Sequence, residues 1–284
     1  ALSAFLLSIA FANLLPKETY GIYRYILSAA GILSIPALSG INAAITQAVA
    51  RGYDGSFIPA FKTKIRYGLL GGLGSLILSG YYYFNGNIPL TISFLIAAVF
   101  LPFMDSFGIY EALLQGKKLF AISTKYRIFS QFIYFISLIA VLFFTRNLFL
   151  ILLTYFIVWT LSRFILFKIT VKKFLLNSNI DNQTISYGKH LTLMDAVTAF
   201  YNYLDRILIF HYLGAIEVAI FSFALAPPDQ LKAVLKIFPP LGLPKFSQQS
   251  KNDIKINLFK KNVKFFLMAG IIALFYIFAA PYIF

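Results

Sequence analysis

Long apolar runs alternate with short polar turns along the whole chain. A helix that crosses a membrane needs about 20 mostly apolar residues, and runs of this kind predict one partial and eight full spans. The partial span covers 1–11 and is closed by the polar turn 13–17. The full spans are predicted near 19–49, 60–84, 89–114, 119–144, 148–171, 187–212, 216–246 and 258–281. Because the chain begins and stops inside apolar runs, we expect a piece of a longer polytopic protein.

Lysine and arginine residues gather at alternate connections between these spans. One set of connections holds 18 of them and the opposite set holds 4. The larger set is Arg51, Lys62, Lys64, Arg66, Lys117, Lys118, Lys125, Arg127, Lys168, Lys172, Lys173, Lys189, Lys245, Lys251, Lys255, Lys260, Lys261 and Lys264. The smaller set is Lys17, Arg24, Arg146 and Arg206. Positively charged connections stay in the cytoplasm, so we expect a multi-pass protein of the cell inner membrane with a cytoplasmic N-terminus.

Composition agrees with this interpretation and excludes several classes of function. Sixty per cent of the residues are apolar and 12% are charged, whereas soluble proteins carry about 25% charged residues. The net charge of +15 lies in the short connections, so we expect no nucleic-acid partner. The chain has no cysteine and two histidines, which leaves few ligands for a metal. We expect no metal site and no cofactor.

An internal repeat indicates how the spans are organised. At a single offset of 198 residues, 15–23 aligns with 213–221, and the basic stretch 61–69 aligns with 259–267. The offset covers six predicted crossings. Because six is even, the two copies would share one orientation and be related by an axis along the membrane normal. We therefore predict an all-α membrane bundle of two lobes: an N-terminal lobe over 1–174, a cytoplasmic linker over 175–186, and the start of a C-terminal lobe over 187–284.

Three stretches carry a resemblance to a known family. They are 14–23 (LLPKETYGIY) continuing to Ala50-Arg51, then 112–118 (ALLQGKK), and finally 203–209 (YLDRILI) with Leu213-Gly214 and 219–222 (AIFS). With these residues the chain resembles the polysaccharide (O-antigen type) flippases of the multidrug/oligosaccharidyl-lipid/polysaccharide exporter superfamily. It departs from the family at Ala219, where glycine is more usual, and at Phe221, which replaces a tyrosine.

The resemblance implies a fold, a substrate and partners. The fold would have 12 or 14 helices in two lobes, of which this chain supplies part of the first to about the ninth. The activity would be movement of a lipid-diphosphate-linked oligosaccharide from the cytoplasmic to the outer leaflet, for O-antigen or other polysaccharide export. Its partners would be that glycolipid, the membrane lipids, and the polysaccharide polymerase and chain-length machinery.

Basic residues inside predicted spans are candidates for binding the diphosphate, because ionisable groups within a membrane are costly. Lys232 and Lys236 share one helical face, and Pro227-Pro228 before them is expected to break or kink that helix. The alternative is that Lys232 is neutralised by Asp229 and that Lys236 extends to the interface. Arg24 either lines the central cavity or extends to the interface in the same way.

Arg206 and its neighbour Asp205 lie near the outer end of the seventh predicted span. Adjacent residues on a helix point in different directions, so they are not an obvious mutual pair. Contact with the solute and an interfacial ion pair or anchor are both open for these two residues.

Acidic residues inside spans are candidates for ion coupling or for lining the cavity. Asp195 lies about two turns into its helix, and a carboxylate buried there would bind and release a proton, which suits H+ or Na+ coupling. The alternative is a hydrogen bond to Thr192, Thr198 or a neighbouring helix. Asp105 follows Pro102 and is expected at a kink or in a cavity wall.

Glu111 lies near the cytoplasmic end of the fourth span. We expect it to pair with Lys117 or Lys118 across the adjoining connection.

The sequence leaves three functions open. The first is a secondary transporter that flips the lipid-linked oligosaccharide by alternating access, favoured by the excess of buried basic residues. The second is an ion-coupled multidrug exporter of the same superfamily, which would need an apolar cavity lined by acids. The third is a membrane glycosyltransferase or ligase, which the short connections disfavour. The sequence shows no nucleotide-binding motif and no catalytic constellation, so we expect a transporter and not an enzyme.

Overall fold

The computed structural model describes residues 2–174 and 177–235, together with Gly270. All regular structure in these residues is helical. The α-helices are α1 (Leu2–Leu14), α2 (Lys17–Leu33), α3 (Gly40–Ala50), α4 (Phe57–Phe84), α5 (Ile88–Phe107), α6 (Tyr110–Gly116), α7 (Phe120–Phe144), α8 (Leu148–Phe174), α9 (Thr184–Tyr212) and α10 (Ala215–Leu235). Short 3-10 turns occupy Ile35–Ala37 and Asp54–Ser56. The all-helical fold predicted from the apolar runs is confirmed.

Several of these helices have the length and composition of membrane spans. Among the described residues, Ile88–Gly116, Phe120–Phe144 and Leu148–Phe174 qualify individually, and α2 with α3 qualifies as a bent pair. Helices lie at seven of the eight full spans predicted, although composition alone marks three or four of them as crossings. The eighth span, 258–281, and the end of the seventh, 236–246, lie outside the described residues.

The predicted span 19–49 needs correction, because it is interrupted. α2 ends at Leu33, a 3-10 turn containing Pro36 follows, and α3 starts at Gly40 with a bend of 43° between the two helices. Proline lacks the N–H that an α-helix needs at this position. Leu38 then takes φ of +59°, a left-handed conformation that is uncommon for a residue with a side chain. We call residues 34–39 the break.

Two further expectations about helix continuity are altered. The predicted span 89–114 divides into α5 and α6 around Gly108 and Ile109. A break or a kink was expected at Pro227-Pro228, and the break does not occur, because α10 stays helical from Ala215 to Leu235.

α4 and α5 form a hairpin with the most extensive helix contact in the described chain. Asn87 begins α5 by accepting a hydrogen bond from the Leu90 backbone N–H at 3.1 Å, as a helix N-cap does. Across the hairpin, Ser75 Oγ donates to the Phe94 carbonyl at 2.7 Å and Ser79 Oγ to the Thr91 carbonyl at 2.9 Å. Small hydroxyl residues allow helices to approach closely and bond within a membrane.

α9 and α10 pack along the other side of α2 and α3, and we call this contact the seam. Glycines permit the close approach. A Cβ at Gly21 would overlap the Ala215 carbonyl, and one at Gly40 would clash with the backbone of Gly188 and Thr192. The seam therefore joins the predicted N-terminal lobe to the first two helices of the predicted C-terminal lobe.

The connection before α9 rests on the loop between α3 and α4. Asn177 Nδ2 donates to the Gly52 carbonyl at 3.1 Å, and the Asp181 backbone N–H donates to Ser56 Oγ at 2.8 Å. Asp181 also forms an ion pair with Arg51 at 2.8 Å. The division into lobes and linker stays a prediction, as does the parallel repeat, since 259–267 lies outside the described residues.

Candidate functional site

Three adjoining cavities follow the bent pair α2 and α3. The first, about 230 Å³, lies near the start of α2 and we call it the Lys17-end cavity. The middle cavity, about 210 Å³, shares Leu27 with the first. The Arg51-end cavity, about 500 Å³, lies beside the break and shares Gly31, Ser34 and three other residues with the middle one. Together they form a cleft bounded by helices of both predicted lobes.

The Lys17-end cavity combines aromatic rings with polar groups. Its wall includes Tyr20, Tyr134 and Arg24 from the N-terminal part of the chain, and Ser222 and Asp229 from α10. Tyr20 also stacks on Phe223 of α10, with ring centroids 4.3 Å apart. Within the described residues, the buried atoms Arg24 Nε and Ser222 Oγ have no hydrogen-bond partner. This wall therefore offers flat apolar faces together with unused polar groups.

Arg206 brings a second guanidinium to this end of the seam. It is 7% exposed and lies within electrostatic range of Arg24 and Asp229. Its Nη1 donates to the carbonyl of Asn202, one turn back on α9, at 3.0 Å. Its Nε has no hydrogen-bond partner in the described chain. Two of the four cationic residues predicted from sequence thus lie within electrostatic range of each other across the seam, although Arg206 lines none of the three cavities.

The middle cavity contains an ion pair that joins α5 to α8. Arg163 Nη1 lies 3.2 Å from Asp105 Oδ1 and donates to the Met104 carbonyl at 2.8 Å. The guanidinium also lies over the Trp159 ring, 4.8 Å from its centroid. Asp105 is therefore in a cavity wall, as expected. Arg163 is a site residue that the sequence analysis missed, although it stands inside a predicted span like Arg24.

The Arg51-end cavity brings Asp195 to the break. Ser39 Oγ donates to Asp195 Oδ2 at 2.9 Å, so the neighbouring-helix alternative describes its hydrogen bond. Within the described chain Asp195 is exposed and lines the cavity, and its role in ion coupling stays a prediction. Thr192 instead accepts from the Gly40 backbone N–H at 3.1 Å.

Lys64 is the second site residue that the sequence analysis missed. Counting it among the loop cations was wrong, because Lys64 is 1% exposed within α4 and lines the Arg51-end cavity. Its Nζ donates to the Leu38 carbonyl at 3.1 Å. Its position seven residues after the start of α4 was the available signal.

The remaining predicted residues are placed less centrally or lie outside the description. Asp205 is exposed on α9 and lines none of the three cavities. Lys232 falls on α10, but its side chain is not among those described, and Lys236 lies beyond the described residues. The pairing expected for Glu111 is also corrected, because Lys117 binds Asp54 and Glu111 lines the Arg51-end cavity.

Charges of both signs line the cleft in nearly equal numbers. The basic residues in its described walls are Arg24, Lys64 and Arg163, and the acidic ones are Asp105, Glu111, Asp195 and Asp229. The basic excess that favoured an anionic solute is therefore absent from these walls. No group of three or more acidic, histidine or cysteine residues in the described chain is placed to hold a metal ion.

Several membrane-length helices and a polar cleft beside a broken span define a multi-pass α-helical membrane protein. The family described as "Polysaccharide biosynthesis protein" matches residues 1–249. The chain belongs to this family, and the resemblance to the polysaccharide flippases is confirmed. Comparison with curated proteins and with solved structures gives no match.

Proposed function

We propose that the protein flips a lipid-diphosphate-linked oligosaccharide across the cell inner membrane by alternating access, for O-antigen or other polysaccharide export. Family membership supports polysaccharide biosynthesis as the setting. The observation that carries a transport role is the cleft itself, which runs along the interrupted span α2–α3 between helices of the two proposed lobes. Interrupted helices facing a polar cavity are a common way to build a solute site within a membrane.

The proposed binding mode divides the glycolipid between two kinds of wall. The diphosphate is held by Arg24 and Arg206, because guanidinium groups donate several hydrogen bonds to phosphate oxygens. Lys232 and Lys236 stay proposed contacts of the same group. The sugar rings lie against Tyr20 and Tyr134, whose faces accept apolar contact while the nearby Ser222 hydroxyl exchanges hydrogen bonds.

Coupling and orientation complete the proposal. Asp195 and Asp105 are the proposed groups for H+ or Na+ coupling. Asp229 and Asp205 are proposed to contribute to the electrostatic potential at the Lys17 end. The Arg51 end faces the cytoplasm, which places the N-terminus there as well. The glycolipid arrives from cytoplasmic synthesis, and the polymerase and chain-length machinery receive it after transport.

The test is a flipping assay with purified protein in liposomes that contain a labelled lipid-diphosphate oligosaccharide. Replacing both Arg24 and Arg206 by alanine is expected to lower the rate of flipping about a hundredfold or more. The reason is that each substitution removes a charge-assisted hydrogen bond to the diphosphate. Arg66→Ala is the matched control, since Arg66 is exposed on α4, and we expect it to flip at the wild-type rate. Unchanged flipping by the double variant would remove both arginines from the binding site.

The four carboxylates of the cleft favour multidrug export as a second candidate. An exporter of organic cations would use acidic side chains where the flippase uses basic ones. The same liposomes loaded with tetraphenylphosphonium separate the two functions. Transport of this cation without movement of the glycolipid would replace the proposed function by the second candidate.

A further inference from the structure

Three consecutive residues, the last two of the break and the first of α3, are bound by two different helices. The Leu38 carbonyl accepts from Lys64 Nζ of α4 at 3.1 Å. The next two residues bind α9: Ser39 Oγ donates to Asp195 at 2.9 Å and the Gly40 N–H to Thr192 Oγ1 at 3.1 Å. The break is thus fixed to α4 on one side and to the seam on the other.

Lys64 is an expensive residue to place at this position. An ammonium group at 1% exposure loses nearly all of its hydration, which costs several kcal/mol unless opposite charge and hydrogen bonds compensate. Within the described chain, no carboxylate lies within 4.0 Å of Lys64 Nζ. The charges that act on it are those of Asp105 and Arg163, which already form an ion pair with each other. A methionine would fill the same volume without this cost.

The bond to Leu38 gives the ammonium a structural effect. Leu38 has φ of +59°, and a leucine in the left-handed region is held there only when its surroundings favour it. Lys64 supplies one such contact, and the Ile41 backbone N–H supplies another to the same carbonyl at 3.1 Å. Removing the ammonium therefore weakens the conformation from which Ser39 and Gly40 reach α9.

The same ammonium also faces solute space. Lys64 lines the Arg51-end cavity of about 500 Å³, and its Nζ carries three donors. Phosphate oxygens form stronger hydrogen bonds with an ammonium group than a neutral carbonyl does. All three donors lie on one nitrogen, so an anion that draws Nζ into the cavity would lengthen and weaken its hydrogen bond to the Leu38 carbonyl.

We propose that Lys64 is a positioning residue that couples an anionic headgroup in the Arg51-end cavity to the break and, through it, to the seam. In the empty cavity Lys64 holds the Leu38 carbonyl and the seam stays bonded at Ser39 and Gly40. When the headgroup binds Lys64, the Leu38 carbonyl is released and the break becomes free to change its angle. The inference rests on the proposed function in taking the solute to be a lipid-linked diphosphate, which enters at the Arg51-end cavity before it reaches Arg24 and Arg206.

Hydrogen–deuterium exchange on the purified full-length chain tests this directly, with inorganic pyrophosphate as the probe. In the wild type we expect pyrophosphate to raise exchange in peptides covering 34–41. Lys64→Met is expected to show about tenfold or faster exchange there without pyrophosphate, and no further response to it. Lys64→Arg, which keeps charge and donors, is expected to restore both the slow exchange and the response.

Lys62→Met is the matched control, because Lys62 lies two residues away on α4 and is exposed. It should exchange and respond like the wild type. Exchange in α7 and α8 reports on folding, and we expect it to be equal in all variants. Wild-type exchange at 34–41 in Lys64→Met, or a retained pyrophosphate response in that variant, would overturn the inference. An absent response in the wild type would overturn the competition between anion and carbonyl.

Flipping by the same variants separates this inference from the proposed function. We expect Lys64→Met to bind the glycolipid somewhat more weakly, because one contact to the headgroup is lost. We expect the rate of flipping at saturating glycolipid to fall further than the affinity does, because the break no longer responds to the headgroup. A wild type that responds to pyrophosphate yet does not flip the glycolipid would contradict the proposed function and leave the role of Lys64 standing.

Discussion

The two ends of the seam are built from different interactions. At the Lys17 end, rings stack across it: Tyr20 on Phe223 and Tyr25 on Phe210, the latter with centroids 3.8 Å apart. At the Arg51 end the contacts are polar, and Ser39–Asp195 is the central one. When helices slide past each other, the stabilisation from stacked rings declines gradually. A hydrogen bond, in contrast, is lost when its donor–acceptor distance grows by a fraction of an ångström. The contacts at the Arg51 end are therefore sensitive to small displacements and to charge, and those at the Lys17 end are less so.

We expect the largest effect from adding a side chain where α2 and α10 are in closest contact, at the Lys17 end of the seam. Gly21→Val would push a side chain into the Ala215 carbonyl, and we expect unfolding in detergent to be easier by about 3 kcal/mol. Gly80→Val is the control, because open space surrounds Gly80. Equal melting temperatures for both variants would show that the two helices are not closely packed there.

A double-mutant cycle on Ser39 and Asp195 measures the polar end. We expect Ser39→Ala and Asp195→Ala to be coupled by about 1 kcal/mol in the free energy of unfolding. Asp195→Asn should retain part of this coupling, since the amide oxygen still accepts a hydrogen bond. Strictly additive effects would mean that the Ser39–Asp195 hydrogen bond contributes nothing to the free energy of unfolding.

The corresponding cycle at the aromatic end uses Tyr25→Leu and Phe210→Leu. A stacked pair contributes about 0.5–1 kcal/mol beyond the area it buries, so we expect a coupling of this size. The coupling should be the same in low and high salt, because it involves no ionised group. A salt-dependent value would contradict the distinction between the two ends.

The smallest effect is expected at the exposed pair Arg51–Asp181. The hydrogen bond from the Gln183 backbone N–H is the largest cause that holds the pKa of Asp181 below its usual 3.8, and the charge of Arg51 lowers the pKa further. Asp181 is thus a carboxyl with a depressed pKa in the folded protein. Its contribution to stability is present above its unfolded pKa and is lost as pH falls through the lower folded value. Between about pH 5 and pH 3 we expect Asp181→Asn to flatten the decline of melting temperature slightly.

The order of helices could be predicted from the sequence because apolar length reports directly on membrane crossing. The break could not be predicted in this way. A proline such as Pro36 is compatible with several helix geometries, and the 43° bend depends on the contacts that hold Leu38. The approach of Arg24 to Arg206 likewise depends on packing between helices far apart in the chain. Asp105 was predicted at a kink or in a cavity wall, and it lines the middle and the Arg51-end cavities. Arg163 could have been found by the rule that found Arg24. Lys64 was missed because counting loop charges assumes that a lysine near a helix end is hydrated.

The glycines of the seam also bear on how the protein is made. Ser39 and Asp195 are 156 residues apart in the chain, and a membrane protein is synthesised from its N-terminus. The face of α2 that carries Gly21 and the polar groups at the break therefore wait in the bilayer until α9 and α10 have been inserted. During that interval a surface of small residues is open to any passing helix. The connection at 177–183 binds the α3–α4 loop and so holds the start of α9 close to this face once α9 has been made.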